Sequence, residues 1–220
     1  MTVSDQFIEE NPGCWIFNNQ KPVQPVSGLA FGSRVIGGAG VRLWEILPGS
    51  WFQRVQNPHN FWRAWLIDAC LGHADNRQVV FQEWKVGSLK PCFIDHGFLF
   101  GGADGTHRPK AARSRYLDPR VYGNAPVPQL SKYAKTIHEV FPEILRSLVQ
   151  DVPAQWKTTS AIASFERYVE RLSEPGLCEG VLDEILQAYS HVSNPEAIES
   201  RSIFAPAFAG LQVRMPATQL

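Results

Sequence analysis

The sequence predicts a mainly α fold carrying one small β-hairpin, an α+β architecture, on three observations. Apolar residues recur at helical spacing from residue 61 to residue 70, and again in three stretches between residues 129 and 189. Two β-rich runs, 78–84 and 91–94, lie between those helical blocks and are joined by a short polar connection. Hydrophobic residues make up 44% of the 220-residue chain and aromatics 11%, enough to build a core without staples.

Taken in order, residues 3–10 predict one or two helical turns ended by the breaker Asn11-Pro12-Gly13. Residues 14–17 are a short apolar run, and NNQKPVQPVSG, residues 18–28, reads as a polar, proline-bearing loop. Gly32, Gly37, Gly38 and Gly40 invite comparison with a phosphate-cradling loop. Neither G-x-G-x-x-G nor G-x-x-x-x-G-K-[ST] is present, however, so a flexible connector is the better reading. After residues 41–56 a helix is expected to start with Asn57 as N-cap and Pro58 at its first position. Phe61, Trp62, Trp65, Leu66, Ala69 and Cys70 form its apolar face, and Gly72 suits the left-handed residue that ends it. The β-hairpin follows within residues 72–102, and a loop, ADGTHRPKAARSR, spans 103–115. Helices are expected over 129–150, with Pro142 forcing a kink or a restart, over 158–172 and over 177–189. The chain from residue 190 is rich in Pro, Ala and Ser, with isolated apolar residues such as Phe204 and Phe208, and reads as a loosely docked or disordered tail. The expected organisation is an irregular connector over 1–56, a core over 57–190 and a tail over 191–220.

Charge and cysteine usage narrow the function classes. Lys+Arg and Asp+Glu number 21 each, so no electrostatic grip on nucleic acid or on an anionic membrane is expected. Cys14, Cys70, Cys92 and Cys178 show no C-x-x-C spacing, no secretory leader precedes them, and no apolar run approaches the length of a membrane span. Reduced thiols in a cytoplasmic protein are the expectation.

The hairpin carries the candidate chemistry. GHADNRQVVF, residues 72–81, delivers Asp75 at a helix exit, and PCFIDHGFLFGG, residues 91–102, ends a strand on Asp95. A strand that stays apolar until its last residue can bring that carboxylate to the mouth of a cleft. Phosphoryl transfer uses two such groups, one near the attacking hydroxyl and one holding magnesium. Each alone is also an ordinary cap or turn former. His73, beside the terminating glycine, is either a ligand-binding histidine or one that caps the last helical carbonyls.

These two stretches resemble the core of the HipA-like kinase domains, in particular the subgroup carrying N-x-(D/N)-x-R-Q and ID-(H/Q)-G motifs. VSDQFIEENPG and SGLAFGSRVIGG upstream, and YLDPRVY and DVPAQW downstream, are similar to further segments of that subgroup, so the resemblance covers residues 3–172. It implies the carboxy-terminal lobe of a protein-kinase-like fold, with ATP and Mg2+ as cofactors and a Ser/Thr or small-molecule hydroxyl as acceptor. On that resemblance Asp75 would orient the nucleophile, and Gln78 and Asp95 would hold the metal. Arg77 would offset phosphate charge or pair with Asp75. His73 and His96 would lie beside the cofactor, His96 shaping the loop after Asp95. Kinase-like loops carry a magnesium-binding Asn five residues beyond the base; Val80 stands there and cannot ligate, so the R-Q pair takes over that part. Only Lys21 precedes the core, in a proline-bearing loop, and the lobe that would cover a nucleotide is expected to be absent. Two alternatives accompany this reading. One is a catalytically silent pseudokinase or binding module, with a partner chain supplying the missing lobe where activity exists. The other is a metal-dependent phosphohydrolase using His73, Asp75, Asp95, His96 and His107.

Overall fold

A serine hydroxyl starts the first helix of the computed structural model, which describes residues 2–13, 16–18, 21–29, 41–102 and 111–192. The Ser4 side chain accepts the Phe7 amide at 3.1 Å, and Asp5 adds a negative charge to the first turn. The chain divides into two units, Met1–Val41 and Arg42–Leu220. In the smaller unit β1 (Thr2–Val3) precedes helix α1 (Asp5–Glu10), and β2 (Ile16–Asn18), β3 (Lys21–Val23) and β4 (Gly28–Leu29) follow. β1 pairs with β4 and β2 with β3, both antiparallel. Lys21 therefore lies in a short strand rather than the expected loop. Pro22 stands opposite Phe17 in a two-stranded ribbon whose strands are both edges, where a missing N–H can face away from the ladder. The glycine-bearing connector falls largely on residues 30–40, outside the described residues.

The larger unit begins before the expected boundary, so residues 42–56 belong to it. It holds β5 (Leu43–Trp44), a 3-10 segment (Gly49–Arg54), helix α2 (His59–Cys70), strands β6 (Gln78–Lys85) and β7 (Ser88–Ile94), and helices α3 (Val127–Gln150), α4 (Thr159–Leu172) and α5 (Leu177–Val192). This is a mixed α+β arrangement, mainly helical, with small antiparallel sheets. The register of β6 and β7 puts Gln78 opposite Ile94 and Phe81 opposite Pro91, while β5 flanks the other edge of β6.

Helix α2 is the core element. Phe61, Trp62, Trp65, Leu66, Ala69 and Cys70 are all buried, each large apolar side chain contributing about 1.5–3 kcal/mol. Both buried indoles find carbonyl partners: Trp62 Nε1 donates to Tyr122 O at 2.8 Å and Trp65 Nε1 to Ala111 O at 2.6 Å. Phe61 packs edge-on against Phe93 at 5.3 Å and stacks near Phe81 at 6.2 Å, tying the helix to the hairpin. Asn57 does not cap α2 as expected. It sits at φ 51, and its carbonyl, not its side chain, meets the Asn60 amide.

The three later helices stand near their expected bounds, although Val140, Ile144 and Leu148 on the apolar stripe of α3 are exposed. Helix α3 runs through Pro142 without restarting, and α4 begins where the Thr158 hydroxyl accepts the Ala161 amide. Helix α5 packs on both α2 and α3, burying Val181, Leu182 and Ile185, and the Tyr189 hydroxyl donates to Gly123 O at 2.7 Å. Cys70, Cys92 and Cys178 are free thiols. The Cys70 thiol is pushed up by its hydrogen bond to Cys178 and by burial. Residues 193–220 lie outside the described residues, as does Cys14. Among the described residues no helix is long and apolar enough to cross a membrane.

Candidate functional site

The hairpin is longer than its sequence signal, because Pro91 falls on the edge strand of the β5-β6-β7 sheet, where proline is tolerated. Along β6, Val79 and Phe81 point into the core and Gln78 points away, so Gln78 is exposed. Along β7, Leu89 and Pro91 are buried and Phe93 is half-buried; the same alternation would carry residue 95 to the core face. Asp95 instead adopts φ 55, which ends the strand and leaves its side chain exposed. Aspartate is among the few residues that tolerate this left-handed region.

Backbone hydrogen bonds lace the helix exit to the loop beyond Asp95. Phe100 N donates to Leu71 O at 2.9 Å, Gly101 N to Gly72 O at 3.0 Å, and Ala74 N to Phe98 O at 3.1 Å. Gly72, at φ 72, ends α2 as expected. Phe100, also left-handed at φ 56, packs edge-on against Phe165 and Tyr168 of α4.

His73 is 1% exposed and joins the two acid-bearing loops. Its Nδ1 lies 2.8 Å from the Asp75 carbonyl oxygen and its Nε2 lies 3.3 Å from that of Asp95. The expectation that His73 lies beside the cofactor is thereby corrected: with both ring nitrogens against backbone carbonyls and no exposed edge, it organises the loops from within.

Arg77 also departs from expectation. Its guanidinium forks onto Asp68 of α2, Nε donating to Oδ2 at 2.6 Å and Nη2 to Oδ1, with both side chains at most 5% exposed. Nη1 donates to Ile94 O at 3.0 Å, to Asp95 O at 3.3 Å and to His96 Nδ1 at 3.0 Å. So committed, Arg77 does not present its charge to a phosphate, and its carboxylate partner is Asp68 rather than Asp75. Burial pushes the Asp68 carboxyl up, against the pull of Arg77.

Accepting from Arg77 makes the His96 ring a neutral imidazole with its proton on Nε2. Burial first, and then the Arg77 charge, hold its pKa below the ordinary 6.5. The folded state thus prefers neutral His96. The resulting stability is fully present above pH 6.5 and is lost as pH falls through that value towards the folded pKa. Replacing His96 with Gln is expected to shrink the drop in urea midpoint between about pH 7 and pH 5; an unchanged drop would remove His96 as its source.

Asp75 is half-buried, and its Oδ1 accepts the amide of the next residue, Asn76, at 2.7 Å. Gln78 Nε2 donates to Asp95 Oδ2 at 2.7 Å, so the two residues expected to hold a metal do meet. Rotating the exposed Gln78 amide would offer its oxygen beside the Asp95 carboxylate. One carboxylate and one amide oxygen suit Mg2+, which keeps several waters and takes its remaining ligands from substrate phosphates. Among the described residues no three His, Cys, Asp or Glu side chains gather as a metal site, and His107 lies outside them.

Asp68 is the residue that motif reading passes over. It follows Phe61 by seven positions, on the same face of α2, and a charge on a buried apolar stripe is itself a signal of a paired, structural ion. No protein-family model, curated protein or solved structure matches this chain.

Proposed function

We propose that residues 72–102 form a kinase-related phosphoryl-transfer site of the HipA-like kind, acting on a hydroxyl acceptor with ATP and Mg2+. The observation that carries this reading is the buried His73 ring, which packs between the Asp75 and Asp95 carbonyls, Nδ1 at 2.8 Å from the first and Nε2 at 3.3 Å from the second, and so spaces the two acid-bearing loops. Phosphoryl transfer uses two carboxylates, and the contacts of this buried ring with the backbones of residues 75 and 95 support reading the two aspartates as that pair. In this reading Asp75 orients the acceptor hydroxyl and takes its proton as the oxygen attacks the γ-phosphorus and the bond to ADP breaks. Asp95 and Gln78 hold Mg2+, which supplies charge neutralisation for the phosphates. His73, and Arg77 through its bonds to residues 94–96, keep the acids in place.

One observation favours a silent binding module as the second reading: Arg77 is committed to Asp68 and withdrawn from any ligand. Calorimetry of the intact chain with Mg-ATP separates these. Mg-dependent binding is expected, weakened at least about tenfold by Asp95→Asn. If the unaltered chain binds no Mg-ATP, the site reading is lost. Asp75→Asn should then keep nucleotide binding and abolish transfer; nucleotide binding without any transfer by the unaltered chain would leave the silent module.

A further inference from the structure

We infer that the buried Asp68–Arg77 pair sets the position of the metal-binding side chains Asp95 and Gln78, making Asp68 a positioning residue of the site proposed above, on which reading this inference rests. One edge of the Arg77 guanidinium is fixed by both Asp68 oxygens, and Nη1 reaches three consecutive residues where β7 passes into the loop, Ile94, Asp95 and His96. The planar fork transmits the position of α2 to that loop without a rotatable joint between. Asp95 needs such restraint. Its left-handed backbone is not one it holds by preference, and its carbonyl accepts from Arg77 Nη1 while the His73 ring packs against it at 3.3 Å. Gln78 is set by the same residue, because strand alternation turns Gln78 outward when Arg77 is held inward, and Arg77 N is anchored on Arg115 O at 3.1 Å. Stability alone does not explain the pair. A buried ion pair commonly contributes no more than apolar side chains of the same volume, and burial here already opposes ionisation of Asp68.

The test is the double substitution Asp68→Leu with Arg77→Met in the full chain, with Asp68→Asn as a second, same-sized variant. Urea midpoint, Mg2+ affinity in the presence of ATP, and the amide NMR signals of Gln78 and residues 94–96 are read together. A merely structural pair predicts that a well-folded double variant keeps its metal affinity and its amide signals. Positioning predicts a midpoint near that of the parent chain, displaced amide signals and Mg2+ affinity at least tenfold weaker, with Asp68→Asn moving both readouts in the same direction by less. Affinity within twofold and unmoved amides overturn the inference. Should the double variant not fold, Asp68→Asn decides by the same two readouts. If the parent chain binds no Mg-ATP, the phosphoryl-transfer reading falls, and the amide signals alone decide whether the pair positions residues 78 and 94–96.

Discussion

Asp68→Ala is expected to destabilise the chain by about 3–5 kcal/mol, the cost of leaving a buried charge without its partner. The Asp68 and Arg77 side chains are 5% and 2% exposed, so water cannot take the place of the lost carboxylate without opening the space between α2 and the hairpin. Arg77 would keep the Ile94 and Asp95 carbonyls and the His96 ring as acceptors for Nη1, which holds the loss to that range. Nε and Nη2, which now face only Asp68, would be stripped. A surface ion pair offers the contrast. Lys135 and Glu139 lie 3.6 Å apart with both side chains more than half exposed, and Glu139→Ala should change stability by well under 1 kcal/mol. Urea unfolding of both variants checks the pair of expectations; an Asp68→Ala loss below about 1 kcal/mol would mean that Arg77 is rehydrated and the site is softer than its burial implies.

What could be read from the residues, and what could not, follows from which interactions are local. The apolar stripes of α2, α4 and α5 are periodic in sequence, and the Thr158 cap and the Gly72 stop act within one helical turn, so these elements stand near their expected bounds. Strand pairing is not local. Lys21–Val23 became a strand only through its partner Ile16–Asn18, and β7 extended back to Ser88 because its edge position admits Pro91. In the candidate site Asp75 is legible as a carboxylate at a helix exit and Asp95 as one at the end of an apolar run, while Gln78 stands out only through the resemblance to the kinase-like motif. Their surroundings are not legible: Asp68 lies nine residues before Arg77 along the chain, and the bond from Arg77 to His96 spans nineteen positions. A motif names the side chains able to do chemistry, whereas the partner of a buried charge is chosen by packing. Arg77 reads from sequence as a partner for phosphate or for Asp75, whereas packing gives it Asp68.

Gly72→Ala should produce a loss of comparable size, about 2–5 kcal/mol, from two separable causes. The backbone at φ 72 is left-handed, which costs an alanine about 1–2 kcal/mol. A methyl group there would also stand 2.3 Å from Tyr168 Cε1 and 2.9 Å from its Cζ and hydroxyl oxygen. Tyr168 is half-buried and packs against Phe100, so its ring can yield only by surrendering that contact or by pushing the helix exit aside. Either response reaches the candidate site. Gly72 O holds Gly101 N, Leu71 O holds Phe100 N, and His73 is the next residue in the chain. A double-mutant cycle with Tyr168→Ala distinguishes the two causes. In the Tyr168→Ala background the clash is gone, and Gly72→Ala should cost only the backbone share of about 1–2 kcal/mol. Equal costs in both backgrounds would show that α4 does not press on the helix exit. The larger cost beside an intact Tyr168 would make this contact the means by which α4, remote in sequence, holds in place the turn that presents His73 and Asp75.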